Sequence, residues 1–324
     1  MHPAEKSLII KAKGGLGNRM LSAVTGLVLA RLNSRTPLID WRDGMYVDPG
    51  TNLYPLLFEA DWMKGDVADF DHATDVAPAI WSGRLGKHPV DIIRSEFPRR
   101  HQDPLLYRRL SIDLTGRDPA AEAGVFWSYL PKLKRLQRRI ERSDFFAGQT
   151  LYDITCATLT KYFRPVSEVR NQVDAVFADV EGPAIGAHIR FTDRKAPLPK
   201  IIASLSRLQT SRPDATIFLA TDSAEAQEAV LTHFPRARFI EKTLATDGSA
   251  LHFGSRTFAD PVVEARNALV DMVALSRCDW LVHSSHSTFS VAAASIGQIA
   301  RGSQVDVDAA NLPLRFKQFL QARL

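Results

Sequence analysis

The segment GAHIRFTDR places His188 and Arg190 at the end of an apolar run, Ala184–Ile189, that reads as a strand. Alternate residues of a strand face one side, so the imidazole and the guanidinium can address one ligand. Arginine carries a planar fork of donors that stays charged, which suits a diphosphate. FLATDS repeats the layout: Asp222 follows an apolar run and precedes a helix starting near Glu225. It either meets a ligand or, with Ser223, caps that helix. In EARNALVDMVALSRC, Asp271 interrupts a stripe of Ala, Leu, Val and Met. An acid in that position needs a partner. The partner is either a guanine, whose two neighbouring N–H groups a carboxylate accepts together, or a salt bridge to Arg266 or Arg277. In WLVHSSHSTFSVAAAS, Ser284, Ser285, Ser287 and Thr288 crowd a helix start. Hydroxyls and free backbone N–H groups there take a phosphate, or one of them simply caps the helix.

Near the N-terminus, KAKGGLGNRM sets Gly14, Gly15 and Gly17 between a strand and a helix. Such a loop lets a helix N-terminus hold an anion. Asp40 closes the next strand at about the distance of the ribose-binding acid in an NAD fingerprint. That fingerprint's third glycine is Met20 here, however, and the Lys-Ser/Thr pair of a P-loop is missing. Alone, the loop fits a tight strand–helix turn equally well.

The elements that must carry these residues alternate. Ser7–Ala12 and TPLID read as strands around a helix over Met20–Asn33, a βαβ unit. Residues 43–124 are irregular and rich in Pro, Trp and Arg, a composition suited to shaping a binding surface. An amphipathic helix with Val166, Val169, Val173 and Val176 on one stripe follows, and EGP breaks it. A second series has strands at AIGAHI, ATIFLA, ARFIE and DWLVH, with helices at about Ile201–Thr210, Ala224–His233, Val262–Arg277 and Ser287–Ile296. The fold class is α/β: two Rossmann-like domains, 1–181 and 182–305, facing each other with ligand bound at strand ends in the cleft. The final stretch, 306–324, reads as a helix returning to the first domain.

The chain has 324 residues, 45% hydrophobic and 24% charged, which excludes a disordered chain. No apolar run is long enough to cross a bilayer, and the N-terminus lacks a secretory apolar core. Cys156 and Cys278 have no CxxC partner and read as reduced, buried thiols of a cytoplasmic protein. The net charge of +5 points to anionic partners. Much of it lies in PKLKRLQRRIER, where Leu133, Leu136 and Ile140 fall at helical spacing. That run reads as an amphipathic helix with a solvated basic face; a peripheral membrane contact is the sharper alternative. It has no interleaved aromatics, so nucleic-acid stacking has no support.

Taken in order, these motifs resemble the α-1,2/α-1,6/protein-O-fucosyltransferase superfamily, and within it the rhizobial nodulation-type α-1,6-fucosyltransferases. GGLGNR is similar to the family's glycine loop, and HIRFTD, IFLATDS and ALVDMVALSRCDWLVHSSHST to its three diagnostic motifs. LIDWRDGMYVDPGTNLYPLLFE resembles the nodulation branch. The resemblance implies a GT-B type fold, an inverting mechanism, GDP-fucose as donor and no metal or other cofactor. It implies that Arg190 neutralises the β-phosphate of the departing GDP, and that His188 and Asp271 read guanine and ribose. Ser287 and Thr288 would hold phosphate oxygens, and Asn18 with the Gly15–Gly17 backbone would close on the diphosphate. Asp222 counts among the donor-binding residues. Phe191 and Leu198 replace an arginine and a candidate catalytic glutamate of the animal enzymes, which leaves the general base to Asp193, with Asp40 and Asp43 as alternatives, or to the leaving phosphate. The acceptor is expected to be an oligosaccharide or lipid-linked sugar, with Trp41, Trp62, Trp81 and Trp127 offering faces to it. The rivals are an NAD-dependent oxidoreductase and a non-catalytic nucleotide-sugar-binding protein.

Overall fold

Short apolar runs bounded by glycine, proline and aspartate make strands here, and the longer stretches between them make helices. The structure, a computed structural model, describes residues 6–100, 106–192, 195–245, 260–313 and 316. It divides into two units. The first holds the segment ending at Gly14 and Asn18–Arg164; the second holds Gly15–Gly17 and the chain from Pro165 onward.

The first unit runs β1 (Ser7–Lys11), α1 (Leu16–Leu32), β2 (Thr36–Asp40), α2 (Tyr54–Leu57), β3 (Val76–Ala77), α3 (Pro89–Glu96), β4 (Ala123–Trp127), α4 (Gln137–Glu141) and α5 (Leu151–Tyr162). Its strands form one parallel sheet in the order β2-β1-β4-β3. Every residue of β1 and β4 is buried, as expected of central parallel strands covered on both faces. The sequence reading missed β4, which pairs with β1 from Ser7↔Ala123 to Lys11↔Trp127. Five residues without a period have no local signature; their strand character comes from a partner more than a hundred positions away. Trp81 and Trp127 pack with Ile92, Ile93, Leu106 and Leu110 in a buried cluster. Trp41, Trp81 and Trp127 are no more than 2% exposed, so they are core residues and cannot offer faces to a sugar. Trp62 is half-buried, edge-on to Tyr54 and Tyr162.

The basic run differs from expectation. It is a 3-10 turn over Leu133–Leu136 followed by the single turn of α4. Leu133, Leu136 and Ile140 are buried as their spacing demands. Like charges at i,i+4, such as Lys134 with Arg138 and Arg135 with Arg139, oppose one continuous helix. The 3-10 turn passes directly into α4, so the run is helical from Leu133 to Glu141 with its apolar residues buried, but it is short and nothing in it supports a membrane contact. Among the described residues, no helix is long and apolar enough to cross a membrane.

The second unit runs α6 (Ser167–Phe177), β5 (Ala184–Ile189), α7 (Leu198–Ser211), β6 (Thr216–Thr221), α8 (Ala224–His233), α9 (Pro261–Ser276), β7 (Trp280–His283), α10 (Thr288–Ile296) and β8 (Gln304–Asp306). Its parallel sheet has the order β6-β5-β7-β8. ARFIE makes no strand; Arg238 only bridges to Phe218. The expected boundary near residue 181 left α6 with the first unit, whereas α6 packs on α9, and Arg277 reaches Asp174 of α6 at 2.6 Å. β8 ends on Asp306, the first residue of the expected terminal stretch, and most of that stretch lies outside the described residues. Cys156 and Cys278 are free and buried. The expected α/β class, with two parallel sheets, is the class observed.

Candidate active site

The chain leaves β5 to build β6 on one side and β7 on the other, so strand order reverses between β5 and β7. Loops diverge at such a point, and the carboxyl ends of its strands make a crevice for ligand. His188 and His283 lie there, near the carboxyl ends of β5 and β7. His188 is buried and its ring stacks on Phe289 of α10, centroids 4.9 Å apart. Burial, reinforced by His283 and the cations Lys242 and Arg190, pushes its pKa down to about 3, so the ring is neutral. Its Nδ1 is buried without a partner. His283, which sequence reading did not single out, sets Nδ1 3.0 Å from Ser290 Oγ. Its signal was its place at the end of an apolar run, matching that of His188.

Arg190 is the first residue beyond β5 and is half-buried. Asp222 settles the position of the loop it begins: its oxygens accept from the Phe191 N–H and the Thr192 hydroxyl, both at 2.8 Å. Thr221 donates to the Ile189 carbonyl at 2.8 Å. The cap of α8 is Ser223, which accepts from the Ala226 N–H at 3.4 Å. Asp222 thus anchors the Arg190 loop instead of capping the helix. Asp222→Ala should leave the fold intact but lower kcat by about tenfold or more, because positioning is lost. Steady-state kinetics checks this, and an unchanged kcat would remove Asp222 from the machinery.

Asp271 lies on α9, 2% exposed, with Oδ1 unpartnered and Oδ2 accepting from Lys242. Sequence reading offered Arg266 or Arg277 for a salt bridge; the cation is instead Lys242, from the segment between α8 and α9. Burial raises the Asp271 pKa, against the pull of Lys242. The serines at α10 separate by role. Ser284 donates to Asp308 Oδ2 at 2.5 Å, and the Ser285 N–H to Asp306 Oδ1 at 3.1 Å. Ser287 stands at the N-cap but makes no cap bond, and its Oγ is buried without a partner. Thr288 is the first helical residue, where backbone N–H groups point beyond the helix.

Of the predicted glycines, two are required. Gly14 has φ +81°, and a Cβ on it would lie 2.5 Å from the Tyr129 ring. A Cβ on Gly17 would lie 2.5 Å from the Phe289 N and the Thr288 carbonyl carbon. A Cβ on Gly15 would meet nothing within 4 Å. Gly17→Ala should therefore push on the first turn of α10 and weaken binding of any anion at that helix end at least tenfold, read by calorimetry. Gly15→Ala should bind as the wild type does, and equal losses in both variants would refute the steric account. Asn18 is half-buried in the first turn of α1. Sequence reading passed over Arg19, which is 1% exposed and donates to the Gly14 carbonyl at 2.7 Å and to Asp43 at 2.5 Å.

The candidate acids fare differently. Asp193 lies outside the described residues. Asp40 is closed: Lys11 holds Oδ2 at 2.7 Å and Arg42 reaches both oxygens, at 2.9 and 3.1 Å. Burial opposes the Asp40 charge, but Lys11 and Arg42 outweigh it and hold the carboxyl below its usual range. Both oxygens are thus taken, and a ribose hydroxyl or an acceptor hydroxyl would have to displace Lys11 or Arg42 to reach them. Asp43 is paired with Arg19, and His88 Nε2 lies 4.0 Å from it. Among the described residues, no group of three or more His, Cys, Asp or Glu could hold a metal ion.

His188 Nδ1, Asp271 Oδ1 and Ser287 Oγ are thus buried, polar and unpaired in one unit. Buried polar atoms are almost always paired, and each lapse is costly. All three belong to residues singled out for ligand contact from sequence.

No family model matches the chain. Curated relatives do. Nodulation protein Z of Azorhizobium caulinodans is 26% identical over 313 residues, spanning 86% of this chain and 85% of the relative. Nodulation protein Z of Bradyrhizobium diazoefficiens is 25% identical over 309 residues, spanning 86% and 75%. Among solved structures, NodZ α-1,6-fucosyltransferase soaked with GDP-fucose superposes with a TM-score of 0.60 at 19% identity, over 90% of this chain and 92% of that one. POFUT1 in complex with GDP-fucose gives 0.52 at 12% identity, over 94% and 98%. By sequence the chain is similar to Nodulation protein Z, and its fold is similar to that of the NodZ and POFUT1 structures.

Proposed function

We propose that the chain is an inverting, metal-independent glycosyltransferase that moves fucose from GDP-fucose to a hydroxyl of an oligosaccharide or lipid-linked sugar. The observation that carries this reading is the set of unpaired buried atoms on His188, Asp271 and Ser287 of the second unit, the first near the carboxyl end of β5, the second on α9 and the third at the start of α10. A guanine offers N–H groups to Asp271 and a face and edge to His188. A diphosphate suits the Ser287 hydroxyl, the Thr288 end of α10 and the Arg190 guanidinium. The relatives support the donor, since NodZ structures were obtained with GDP-fucose and with GDP.

In the transfer, the acceptor oxygen attacks C1 of the sugar as the bond from C1 to the β-phosphate oxygen breaks. The bonding pair leaves on GDP, where Arg190 meets the growing charge. We assign the acceptor proton to Asp193, three positions beyond Arg190 in sequence, now that Asp40 is closed by Lys11 and Arg42. The same closure counts against the NAD reading, which needs Asp40 for a ribose. Calorimetry of GDP against NAD, then a screen of GDP-sugars with chito-oligosaccharides and mass detection, tests the proposal. NAD binding without GDP binding would refute it, and GDP binding without transfer or donor hydrolysis would leave a binding protein.

A further inference from the structure

Asp271 is the least exposed acid of the second unit's candidate site, and its two oxygens are unequal. Oδ2 accepts from Lys242, while Oδ1 is buried with no partner. Lys242 does not lie on an element of the sheet. It sits on the stretch between α8 and α9, and its side chain is 12% exposed. The residues that follow Lys242, as far as Ala245, are nonetheless tied down. Thr243 donates to Glu264 on α9 at 2.7 Å. Ala245 exchanges backbone bonds with the end of β6 and the start of α8, donating to Asp222 at 3.0 Å and accepting from Ala224 at 3.2 Å. The ammonium is therefore held against Asp271 by a backbone that is anchored one and three residues further on.

We propose that Lys242 is a specificity-determining residue: by holding Oδ2 of Asp271 it keeps Oδ1 an anionic acceptor, and so selects a purine that presents N–H groups at that edge. The inference rests on the GDP-sugar reading. Guanine presents N–H donors at positions 1 and 2, whereas adenine presents a bare acceptor nitrogen at position 1. An anionic oxygen accepts from the former and repels the latter. A buried carboxyl without a counter-charge would instead take up a proton and present an O–H. That group can donate to adenine, and the discrimination disappears. Burial already works against the Asp271 charge, and Lys242 is the group that opposes it. Lys242 also bears on His188, which faces His283 and Arg190 and is itself neutral.

The test uses the full chain and calorimetry with GDP, IDP and ADP between pH 6 and 9. IDP keeps the N–H at position 1 and lacks the amino group at position 2. Lys242→Met should lose about 10- to 100-fold in GDP affinity near pH 7, the scale of a charge-assisted hydrogen bond. Its preference for GDP over IDP and ADP should shrink with it. The sign of the pH effect follows from the acceptor role. Without Lys242 the Asp271 pKa is higher still, so the ionised fraction, and with it GDP affinity, should recover as pH rises. Lys242→Arg should keep the wild-type preference. Asp271→Asn, which cannot ionise, should lose the preference with no recovery at high pH. Circular dichroism checks folding, and Lys242→Gln carries the same test if the methionine variant does not fold. The proposal is overturned if Lys242 variants bind GDP as tightly as the wild type, or more tightly, with base preference intact at every pH. Lys242 would then be a structural partner of Asp271, or a stand-in for the base that the nucleotide displaces. Wild type that binds no GDP would defeat the donor reading itself; wild type that binds GDP with unaltered variants would defeat this inference alone.

Discussion

Arg190→Ala is expected to lower kcat about 10³-fold while changing the KM for GDP-fucose by less than about tenfold. The asymmetry has a physical cause. In the intact donor the oxygen between C1 and the β-phosphate is part of a bond; as that bond breaks, the oxygen gains a negative charge. A guanidinium fixed beside that oxygen acts most strongly at that moment. Removing one preorganised charge or donor of this kind typically costs 10²–10³ in rate, and arginines in phosphoryl transfer about 10³–10⁵. The loop that Arg190 begins is pinned by Asp222 through Phe191 and Thr192, which would preorganise the guanidinium for the proposed role. Arg190→Lys keeps a charge but not the planar fork, so it should recover only part of the loss. Steady-state kinetics with a sugar acceptor, or donor hydrolysis without one, provides the readout. An alanine variant retaining a tenth of wild-type kcat would take Arg190 out of the catalytic role.

Asp40→Ala should destabilise the first unit by about 3–5 kcal/mol, the usual cost of breaking a buried pair on one side only. Lys11, Asp40 and Arg42 are 5%, 1% and 9% exposed at their side chains. Without Asp40, the Lys11 ammonium would keep the Leu85 carbonyl at 2.6 Å and the Trp81 face at 5.1 Å, but no contacting anion. Arg42 would keep Asp71, which is 28% exposed. Asp71→Ala, by contrast, should cost about 1 kcal/mol or less, because the carboxylate removed is partly solvated and Arg42 keeps both oxygens of Asp40. Urea denaturation followed by tryptophan fluorescence suits the comparison. The chain has five tryptophans, and all but Trp280 lie in the first unit. Equal losses in the two variants would show that burial of the network is not what makes Asp40 matter.

Much of this could be read in the chain because the second unit's elements are encoded locally. AIGAHI, ATIFLA and DWLVH are apolar runs with polar residues at or next to their carboxyl ends, and strands formed over Ala184–Ile189, Thr216–Thr221 and Trp280–His283. Parallel sheets place ligand at such ends, so naming the strands was nearly enough to name His188, Arg190 and Ser287. The first unit was less legible. Ala123–Trp127 follows a long stretch with no period, and only pairing with Ser7–Lys11 makes it a strand. The basic run after it had a convincing apolar spacing, and it folds as a 3-10 turn that leads into the short α4, with that spacing buried.

The sequence by itself determined the class of the fold, the order of the second sheet's motifs and the residue types gathered at their ends. Only the tertiary structure decided which acids are open and which are spent. Asp40 is closed by Lys11 and Asp271 half-closed by Lys242, each 29 positions away, and Asp222 is occupied by a loop about 30 positions away. Asp43 belongs to Arg19, from the glycine loop. Composition and period report which face of an element is apolar, because burial acts on each side chain locally. The partner of a buried charge is chosen by chain crossings far apart in sequence, and no local pattern carries that choice.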